Sequence, residues 1–321
     1  MNTITRNMAT LLVAAATLCI ACGNDNEINR TPDQPEQPGN PEEPGNPEQP
    51  GITVPEGYTL FWADEFDGTQ LNLEDWNIEV NGDGGGNNEL QYYCERGVAV
   101  GEDPASGCTC LILKAVRETY MGKKVTSGRV NTQGKVTFRH GRIDARIKLP
   151  STADGLWPAF WMMGDDYRTV GWPACGEIDI LEMGNADGIR NGTQDRYFNG
   201  ACHWGTAWND HMSYAYGVTY DYPLQDDEFH LISCIWDDTR VSMYVDLDRY
   251  PDAAPYYDMN IAASSDPRSP SNYFHKACFV ILNLAVGGDF TGIHDIDRVT
   301  ALAAGEARMY VDYVRIFTKN E

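Results

Sequence analysis

Three acidic side chains are closely spaced along one predicted strand. Residues 176–182 read GEIDILE, in which Glu177 and Asp179 alternate with two isoleucines. Because successive side chains of a strand point to opposite faces, both carboxylates share one face. Glu182, five residues after Glu177, would point to the other face, where an unpaired carboxylate is costly. A single β-bulge would return it to the acidic face, so we predict a bulged strand.

Carboxylates on one strand face repel one another, and this repulsion separates their pKa values. One site can then hold an ionised acid beside a protonated one. Retaining glycoside hydrolysis needs such a pair, one carboxyl as nucleophile and the other as acid and then base. Glu177 and Glu182 suit these parts, and Asp179 could hydrogen-bond the nucleophile. A calcium-binding acidic cluster and a merely solvated strand face are the alternatives.

Aromatic residues are concentrated around these acids. Residues 156–163 read LWPAFWMM, Trp172 lies just before the acidic strand, and Trp208 follows it. Flat rings suit the apolar faces of sugars. Trp157 and Trp161 would share a strand face, so core packing is an alternative for both. Trp172 is the better candidate for stacking on a sugar.

Most of the chain consists of short alternating or apolar runs separated by turn residues, without a long helical period. The clearest runs are 110–116, 141–149, 178–183, 231–236, 241–245, 278–286 and 309–317. Such a pattern predicts an all-β fold with one large β-sandwich. The polar segments 81–88, 185–200 and 246–272 are then loops at its edges.

One of these runs alternates charged with apolar residues. From residue 142 to 149, the charged side chains fall at even positions, including Asp144 and Arg146. One strand face is therefore buried and the other carries charge. That charged face is either a solvated outer surface or the floor of a polar groove.

Composition limits the classes of partner. The 321 residues include 24 Lys plus Arg against 47 Asp plus Glu, a net charge of −23. Such a charge argues against nucleic acid and anionic membranes as partners, and it favours a neutral polymer. The 42% of hydrophobic residues are ordinary for a globular protein, so wholesale disorder and a polytopic membrane protein are excluded.

Residues 1–22 are predicted to be a signal peptide. An apolar run over residues 8–21 follows Arg6 and is too short to span a bilayer. Its end resembles a bacterial lipoprotein cleavage site, with Cys22 as the acylated residue. Cys19 stands where such sites usually have Leu, which leaves ordinary secretory cleavage open. The following NDNE resembles export signals of Bacteroidetes surface lipoproteins, so we expect an outer-membrane lipoprotein that contacts the membrane through its anchor alone.

Residues 23–55 are predicted to be an acidic linker, which places the catalytic domain at 56–321. Proline recurs at every third position from residue 32 to residue 50, the period of a polyproline II helix. At about 3.1 Å per residue, this stretch would span roughly 60 Å as a stiff tether. A proline-rich ligand for another protein is the alternative.

Seven further cysteines are distributed over the predicted domain. They are Cys94, Cys108, Cys110, Cys175, Cys202, Cys234 and Cys278. None has the spacing of a zinc or redox motif, whereas export permits disulfides. Cys94 with Cys108 or Cys110 is the favoured bridge. Cys234 and Cys278 lie in apolar runs and are expected in the core.

The chain resembles glycoside hydrolase family 16, on the laminarinase-like branch, over residues 58–318. The resemblance rests on WPACGEIDILE at 172–182, WADEFDG at 62–68, NNELQYY at 87–93, LWPAFW at 156–161, NLAVGG at 283–288 and MYVDYVR at 309–315. It implies a concanavalin A-like jelly-roll β-sandwich with a concave substrate cleft. It also implies endo-acting, retaining hydrolysis of internal β-1,3 bonds, with mixed-linkage β-glucans as further substrates. We expect a monomer that needs no cofactor for catalysis.

The resemblance also assigns roles to individual residues. It implies that Glu177 is the nucleophile, Asp179 its helper and Glu182 the acid/base. It places His203 beside the acid/base on a neighbouring strand. Its implied sugar contacts are Asn88, Arg146 and Trp172, to which we add Trp157 from the aromatic cluster; Asp144 stands where the family usually has Glu.

A structural calcium ion is a further implication of the family resemblance. Asp312 matches the carboxylate ligand, and Glu65 and Gly107 are the expected main-chain partners. Oxygen-only ligation of this kind suits Ca²⁺.

Two other functions compete with a β-1,3(4)-glucanase. A surface glycan-binding protein would use the same cleft without cleavage, although the presence of both Glu177 and Glu182 argues against it. A β-glucanase specific for mixed linkages is the second alternative. Sulfated galactans fit poorly, since an acidic domain repels a polyanion.

Overall fold

The computed structural model describes residues 51–320, and within them the chain folds almost entirely as β-strands. The strands in chain order are β1 (Tyr58–Asp64), β2 (Asn77–Ile78), β3 (Tyr92–Tyr93), β4 (Val98–Glu102), β5 (Thr109–Val116), β6 (Thr126–Ser127), β7 (Arg129–Asn131), β8 (Thr137–Phe138), β9 (Gly141–Lys148), β10 (Leu156–Gly164), β11 (Glu177–Met183), β12 (Tyr197–Trp204), β13 (Met212–Thr219), β14 (His230–Trp236), β15 (Arg240–Val245), β16 (Tyr257–Asn260), β17 (Cys278–Val286) and β18 (Glu306–Lys319). Two short helices, α1 (Tyr167–Val170) and α2 (Ala186–Asn191), lie between strands. The predicted signal peptide, with Cys22, and nearly all of the predicted linker lie outside the described residues.

The strands form two sheets. The first has the order β16-β15-β14-β9-β18-β5-β6-β3, with β1 beside β18 and β4 beside β5. The second has the order β13-β12-β11-β10-β17-β7-β2, with β8 beside β17. Strands distant in sequence lie side by side in both sheets, as in a jelly roll. The predicted all-β sandwich is confirmed.

The core lies between the two sheets. Ile143, Ala145 and Ile147 of β9 point into it from the first sheet, and Ile178 and Ile180 of β11 point into it from the second. Strand β17 is buried along its whole length, because it lies in the middle of the second sheet. The acids of β11 therefore lie on the outer face of the second sheet.

The charged side of β9 is the outer face of the first sheet. Arg142 donates to Asp144 at 2.7 Å, and Arg146 donates to Asp312 at 2.5 Å. Because β9 belongs to the other sheet, this charged face does not adjoin the acids of β11. The carboxylate of Asp144 is buried and serves an ion pair.

The loop predictions are only partly confirmed. Residues 81–88 form a glycine-rich loop, as expected. Helix α2 and the beginning of β12 occupy residues 185–200, and β16 lies within 246–272. Gly184 ends β11 with a φ of +94°, and a Cβ atom there would collide with the carbonyl oxygen of Leu156. This glycine lets β11 turn away tightly after its last acid.

The favoured disulfide does not form, and all seven cysteines within residues 51–320 are free. Cys110 packs with Phe229 and Tyr310 on the outer face of the first sheet, whereas Cys94 directly follows the short strand β3. Cys234 and Cys278 lie in the core, as predicted. No helix in the described part of the chain is both long and apolar enough to cross a bilayer.

Candidate active site

Strand β11 contains the predicted bulge. Asp179 lies opposite Trp161 of β10, and Glu182 lies opposite Ala159. Three steps along β11 thus match two steps along its neighbour, and the same mismatch occurs against β12. The extra residue returns the side chain of Glu182 to the face that carries Glu177 and Asp179. The predicted bulge is confirmed.

Each of the two glutamates receives a hydrogen bond from a tryptophan. The indole Nε1 of Trp172 donates to Oε2 of Glu177 at 3.1 Å, from the loop before β11. The indole Nε1 of Trp157 donates to Oε1 of Glu182 at 3.0 Å, from β10. The rings of Trp157 and Phe290 are stacked, with centroids 4.5 Å apart. Trp157 thus positions the carboxyl group of Glu182, a role that the sequence did not reveal.

His203 lies on β12 directly opposite Glu177. Its Nε2 atom is 3.3 Å from Oδ2 of Asp179, and its Nδ1 atom is 2.8 Å from Nε2 of His211. The family resemblance placed this histidine beside Glu182. In the structure its nearest carboxylate is Asp179.

Aromatic rings form a wall at one end of the acidic row. The ring centroid of Trp172 lies 4.6 Å from that of Trp208 and 4.7 Å from that of His211. Trp208 is 69% exposed, so its face is open to a ligand. This wall can support the apolar face of a sugar ring next to Glu177.

Polar groups occupy the other end of the row. The side-chain amide of Asn88 donates to the carboxylate of Asp289 at 3.0 and 3.2 Å. Asp289 adjoins Phe290, which stacks on Trp157. The structure therefore places Asn88 at the rim of the same surface, where the resemblance implied a sugar contact.

The arginine whose charge acts on Glu177 is Arg129, whereas the sequence indicated Arg146. The guanidinium of Arg129 lies 4.8 Å from the ring centroid of Trp161 and donates to Glu79 at 2.9 Å. Arg146 lies in the first sheet, paired with Asp312, so the prediction that it contacts the sugar is wrong. Arg129 is the first residue of the three-residue strand β7, directly after Gly128. The sequence marks it only as a charged residue next to the buried Val130.

A cavity of about 380 Å³ extends the site on the side of Arg129. Among the residues that line it are Arg129, Asn131, Met163, Tyr167, Phe279 and Ile281. Met163 lies opposite Glu177 on β10, so the cavity begins beside the acidic row. Its mixture of apolar and hydrogen-bonding groups suits a further sugar unit.

Burial dominates the electrostatics of the acids. It raises the pKa of Glu177 to about 8, with a further contribution from the charge of Asp179. His203, the indole of Trp172 and Arg129 act in the opposite direction on Glu177. These three groups favour the ionised form that a nucleophile needs.

Burial also raises the pKa values of the other two acids. Burial raises the pKa of Asp179 to about 8. Burial, followed by the charge of Asp179, raises the pKa of Glu182 well above its usual range, although the indole of Trp157 opposes this shift. Because the three acids interact, their protons leave in steps that belong to the group. Glu182 is the acid best suited to carry a proton at neutral pH.

Two residues of the expected calcium site, Asp312 and Glu65, form ion pairs through their side chains. Asp312 accepts from Arg146 at 2.5 Å, and the carboxylate of Glu65 accepts two bonds from Arg315, both at 2.8 Å. Arg146 contacts only Oδ2 of Asp312, and the bonds to Glu65 involve its carboxylate, whereas the ligands expected from Glu65 and Gly107 are main-chain oxygens. A calcium ion held by Asp312 with Glu65 and Gly107 stays a prediction.

Paired carboxyls on the outer face of a two-sheet sandwich, with aromatic walls, define a glycoside hydrolase site. The chain belongs to glycosyl hydrolases family 16, whose family model matches residues 103–270.

Individual relatives are consistent with this family. The Beta-glucanase of Rhodothermus marinus is 33% identical, over 81% of this chain and 85% of its own length. The Clotting factor G alpha subunit of Tachypleus tridentatus is also 33% identical, over 81% of this chain but 34% of its own length. This chain thus spans only about a third of that subunit.

Solved structures confirm the fold. A family 16 structure from the Bacteroides ovatus mixed linkage glucan PUL, in complex with a G4G4G3G product, has a TM-score of 0.71 and 39% sequence identity. The match covers 80% of this chain and 100% of the other chain. The predicted jelly-roll sandwich is confirmed by this likeness.

Proposed function

We propose that the protein is a retaining endo-glycosidase that hydrolyses internal β-1,3 and β-1,3-1,4 glucosidic bonds. One observation carries the proposal: the bulge in β11 sets Glu177 and Glu182 on one face, each beside its own indole donor. Retaining hydrolysis requires two carboxyls that flank one glycosidic bond.

The reaction takes two steps. The carboxylate of Glu177 attacks the anomeric carbon while Glu182 transfers its proton to the glycosidic oxygen, so that the bond to the leaving sugar breaks. A covalent glycosyl ester of Glu177 results. Glu182, now ionised, takes a proton from water, and the resulting nucleophile hydrolyses the ester. Asp179 lies between them, and in its protonated form it carries no charge that opposes the ionisation of Glu177.

A neutral β-glucan is the substrate that the site favours. The aromatic wall of Trp172 and Trp208 offers stacking surfaces, and the acidic chain repels polyanions. The similarity to the Bacteroides ovatus structure supports mixed-linkage glucan as a substrate beside laminarin.

The test compares three variants on laminarin and barley mixed-linkage glucan. Glu177→Gln and Glu182→Gln should each abolish the release of reducing ends and keep the fold. Glu306→Gln changes an exposed glutamate of the first sheet, paired with Arg308, and should leave the rate unchanged. Full activity of either active-site variant would refute the proposal. Binding of glucan without cleavage by the unchanged protein would instead show a glycan-binding protein.

We also propose an outer-membrane lipoprotein, exported by residues 1–22 and anchored through acylated Cys22. The support is the sequence pattern alone. Labelling with a fatty-acid probe should mark the unchanged chain and spare Cys22→Ala. Label in that variant, or none in the unchanged chain, would refute the anchor.

A further inference from the structure

Three ligand atoms converge within the acidic site. One carboxylate oxygen each from Glu177 and Asp179 and one ring nitrogen of His203 lie within 4.8 Å of one another. Ligands at about 2.0–2.2 Å from a tetrahedral zinc ion are roughly 3.3 Å apart. The distance from Nε2 of His203 to Oδ2 of Asp179 is 3.3 Å. This pair already has the separation of two zinc ligands.

Asp179 offers an oxygen that has no other partner. Its side chain is only 7% exposed, and Oδ2 accepts no hydrogen bond from any residue in the range 51–320. The contact with His203 is close, but it is not a hydrogen bond. A buried oxygen without a donor costs free energy unless another group satisfies it. Oδ2 is therefore free to bind a cation.

His203 is oriented as metal-binding histidines usually are. Its Nδ1 atom lies 2.8 Å from Nε2 of His211, and the two rings are nearly coplanar at 17°. We assign the proton of His203 to Nδ1, because this atom lies within hydrogen-bonding distance of Nε2 of His211. Nε2 then carries the lone pair, and it lies 3.3 Å from Oδ2 of Asp179. A metal-binding histidine typically donates its second ring N–H to a neighbour in this way.

We propose that Glu177, Asp179 and His203 bind one Zn²⁺ ion, with the fourth position open to water. A nitrogen ligand beside two oxygens favours zinc over calcium and magnesium, which prefer oxygen alone. The bound ion engages the carboxylate of Glu177, the group that would attack the sugar. Zinc and glucan therefore exclude each other, and zinc inhibits the hydrolysis.

Zinc binding is measured by calorimetry without substrate, so this test does not depend on the proposed function. The unchanged protein should bind one Zn²⁺ per chain. His203→Asn should weaken binding at least tenfold, and so should Asp179→Asn. The matched control is His294→Asn, a change at a half-exposed histidine, which should alter the affinity less than twofold. Thermal unfolding of each variant shows whether it folds.

Other results would overturn the site. If folded His203→Asn and Asp179→Asn variants both bind zinc as tightly as the unchanged protein, the ion lies elsewhere. The pair His140 and His275, with ring nitrogens 3.1 Å apart, is the rival, and loss of binding in His275→Asn alone would assign the ion to it. An absence of saturable binding would also refute the proposal.

The inhibition rests on the proposed function. Zn²⁺ should reduce the rate on laminarin, EDTA should restore it, and Mg²⁺ at the same concentration should have no effect. Additional laminarin should relieve the inhibition. Inhibition that does not depend on the laminarin concentration would contradict a site shared by zinc and glucan. A chain that binds zinc through His203 but cleaves no glucan would refute the glucanase and leave the metal site standing.

Discussion

Replacing Trp157 by phenylalanine removes one hydrogen bond and keeps an aromatic ring on Phe290. The lost bond joins the indole Nε1 to Oε1 of Glu182 at 3.0 Å, the usual length for N–H···O. Trp157 is buried, so water cannot easily replace the donor. A hydrogen bond to a charged group contributes about 1.5–3 kcal/mol.

This bond favours the ionised form of Glu182, so its loss raises the pKa of Glu182 further. One pKa unit corresponds to about 1.4 kcal/mol, so the shift should be roughly one to two units. The basic limb of the kcat/KM profile should move to higher pH by that amount. The orientation of Glu182 is also lost, and kcat/KM at the optimum should fall about ten- to a hundredfold.

The assay is the pH dependence of kcat/KM on a soluble mixed-linkage oligosaccharide. Trp161→Phe is the matched control, because Trp161 lies on the same strand face but donates to Asn283 at 2.7 Å. In Trp161→Phe, the basic limb of the kcat/KM profile should stay at the same pH, even if KM changes. A basic limb that stays in place in Trp157→Phe, with unchanged kcat/KM, would refute the role given to this indole.

Three further predictions concern charge, stability and the bulge. Arg129→Gln removes a cation that lowers the pKa of Glu177, so the acidic limb of the kcat/KM profile should move to higher pH; an unmoved limb would contradict this coupling. Burial lowers the pKa of His230, but hydrogen bonds to Asp246 and Asp226 raise it more, and the net shift is upward. His230→Gln should therefore cost about 3–5 kcal/mol of unfolding free energy in urea at pH 5.5, and the loss should shrink as the pH rises through the raised pKa of the native histidine; a loss that stays equal or grows with pH would contradict the sign. Deletion of Ile180 leaves Glu182 four residues after Glu177, so a regular strand without the bulge keeps both glutamates on the same face and activity should stay measurable; a folded but inactive deletion variant would contradict the geometry.

The alternation of side chains along strands predicted much of this structure. It placed Ile178 and Ile180 in the core and Glu177 and Asp179 outside. The need to keep Glu182 out of the core then predicted the bulge. Each of these inferences depends only on neighbours along one strand, and such local information is present in the sequence.

The choice between Arg129 and Arg146 required information of another kind. Alternation separates the core face of a strand from its outer face, but a sandwich has two outer faces. Only the pairing of strands decides on which outer face a residue lies. Arg146 lies on β9, which pairs with β18 in the first sheet, and Arg129 lies on β7, which pairs with β17 in the second. Both pairings join residues far apart in the chain.

The partner of Trp157 was hidden for a related reason. Its indole reaches Glu182 because Ala159 lies opposite Glu182 across β10 and β11. That register depends on the bulge and on the antiparallel pairing together. The sequence therefore indicated an aromatic cluster near the acids, and the structure gave one of its rings a carboxyl partner.

The most direct test of the central claim is to trap the covalent intermediate. A 2-deoxy-2-fluoro β-glucosyl donor with a good leaving group slows both the formation and the hydrolysis of the glycosyl ester. Hydrolysis is slowed more, so the sugar should stay attached to the enzyme. Mass spectrometry of the protease digest should find the label on Glu177, at one sugar per chain. A label on Asp179 or Glu182, or no label from a donor that the enzyme consumes, would contradict the account.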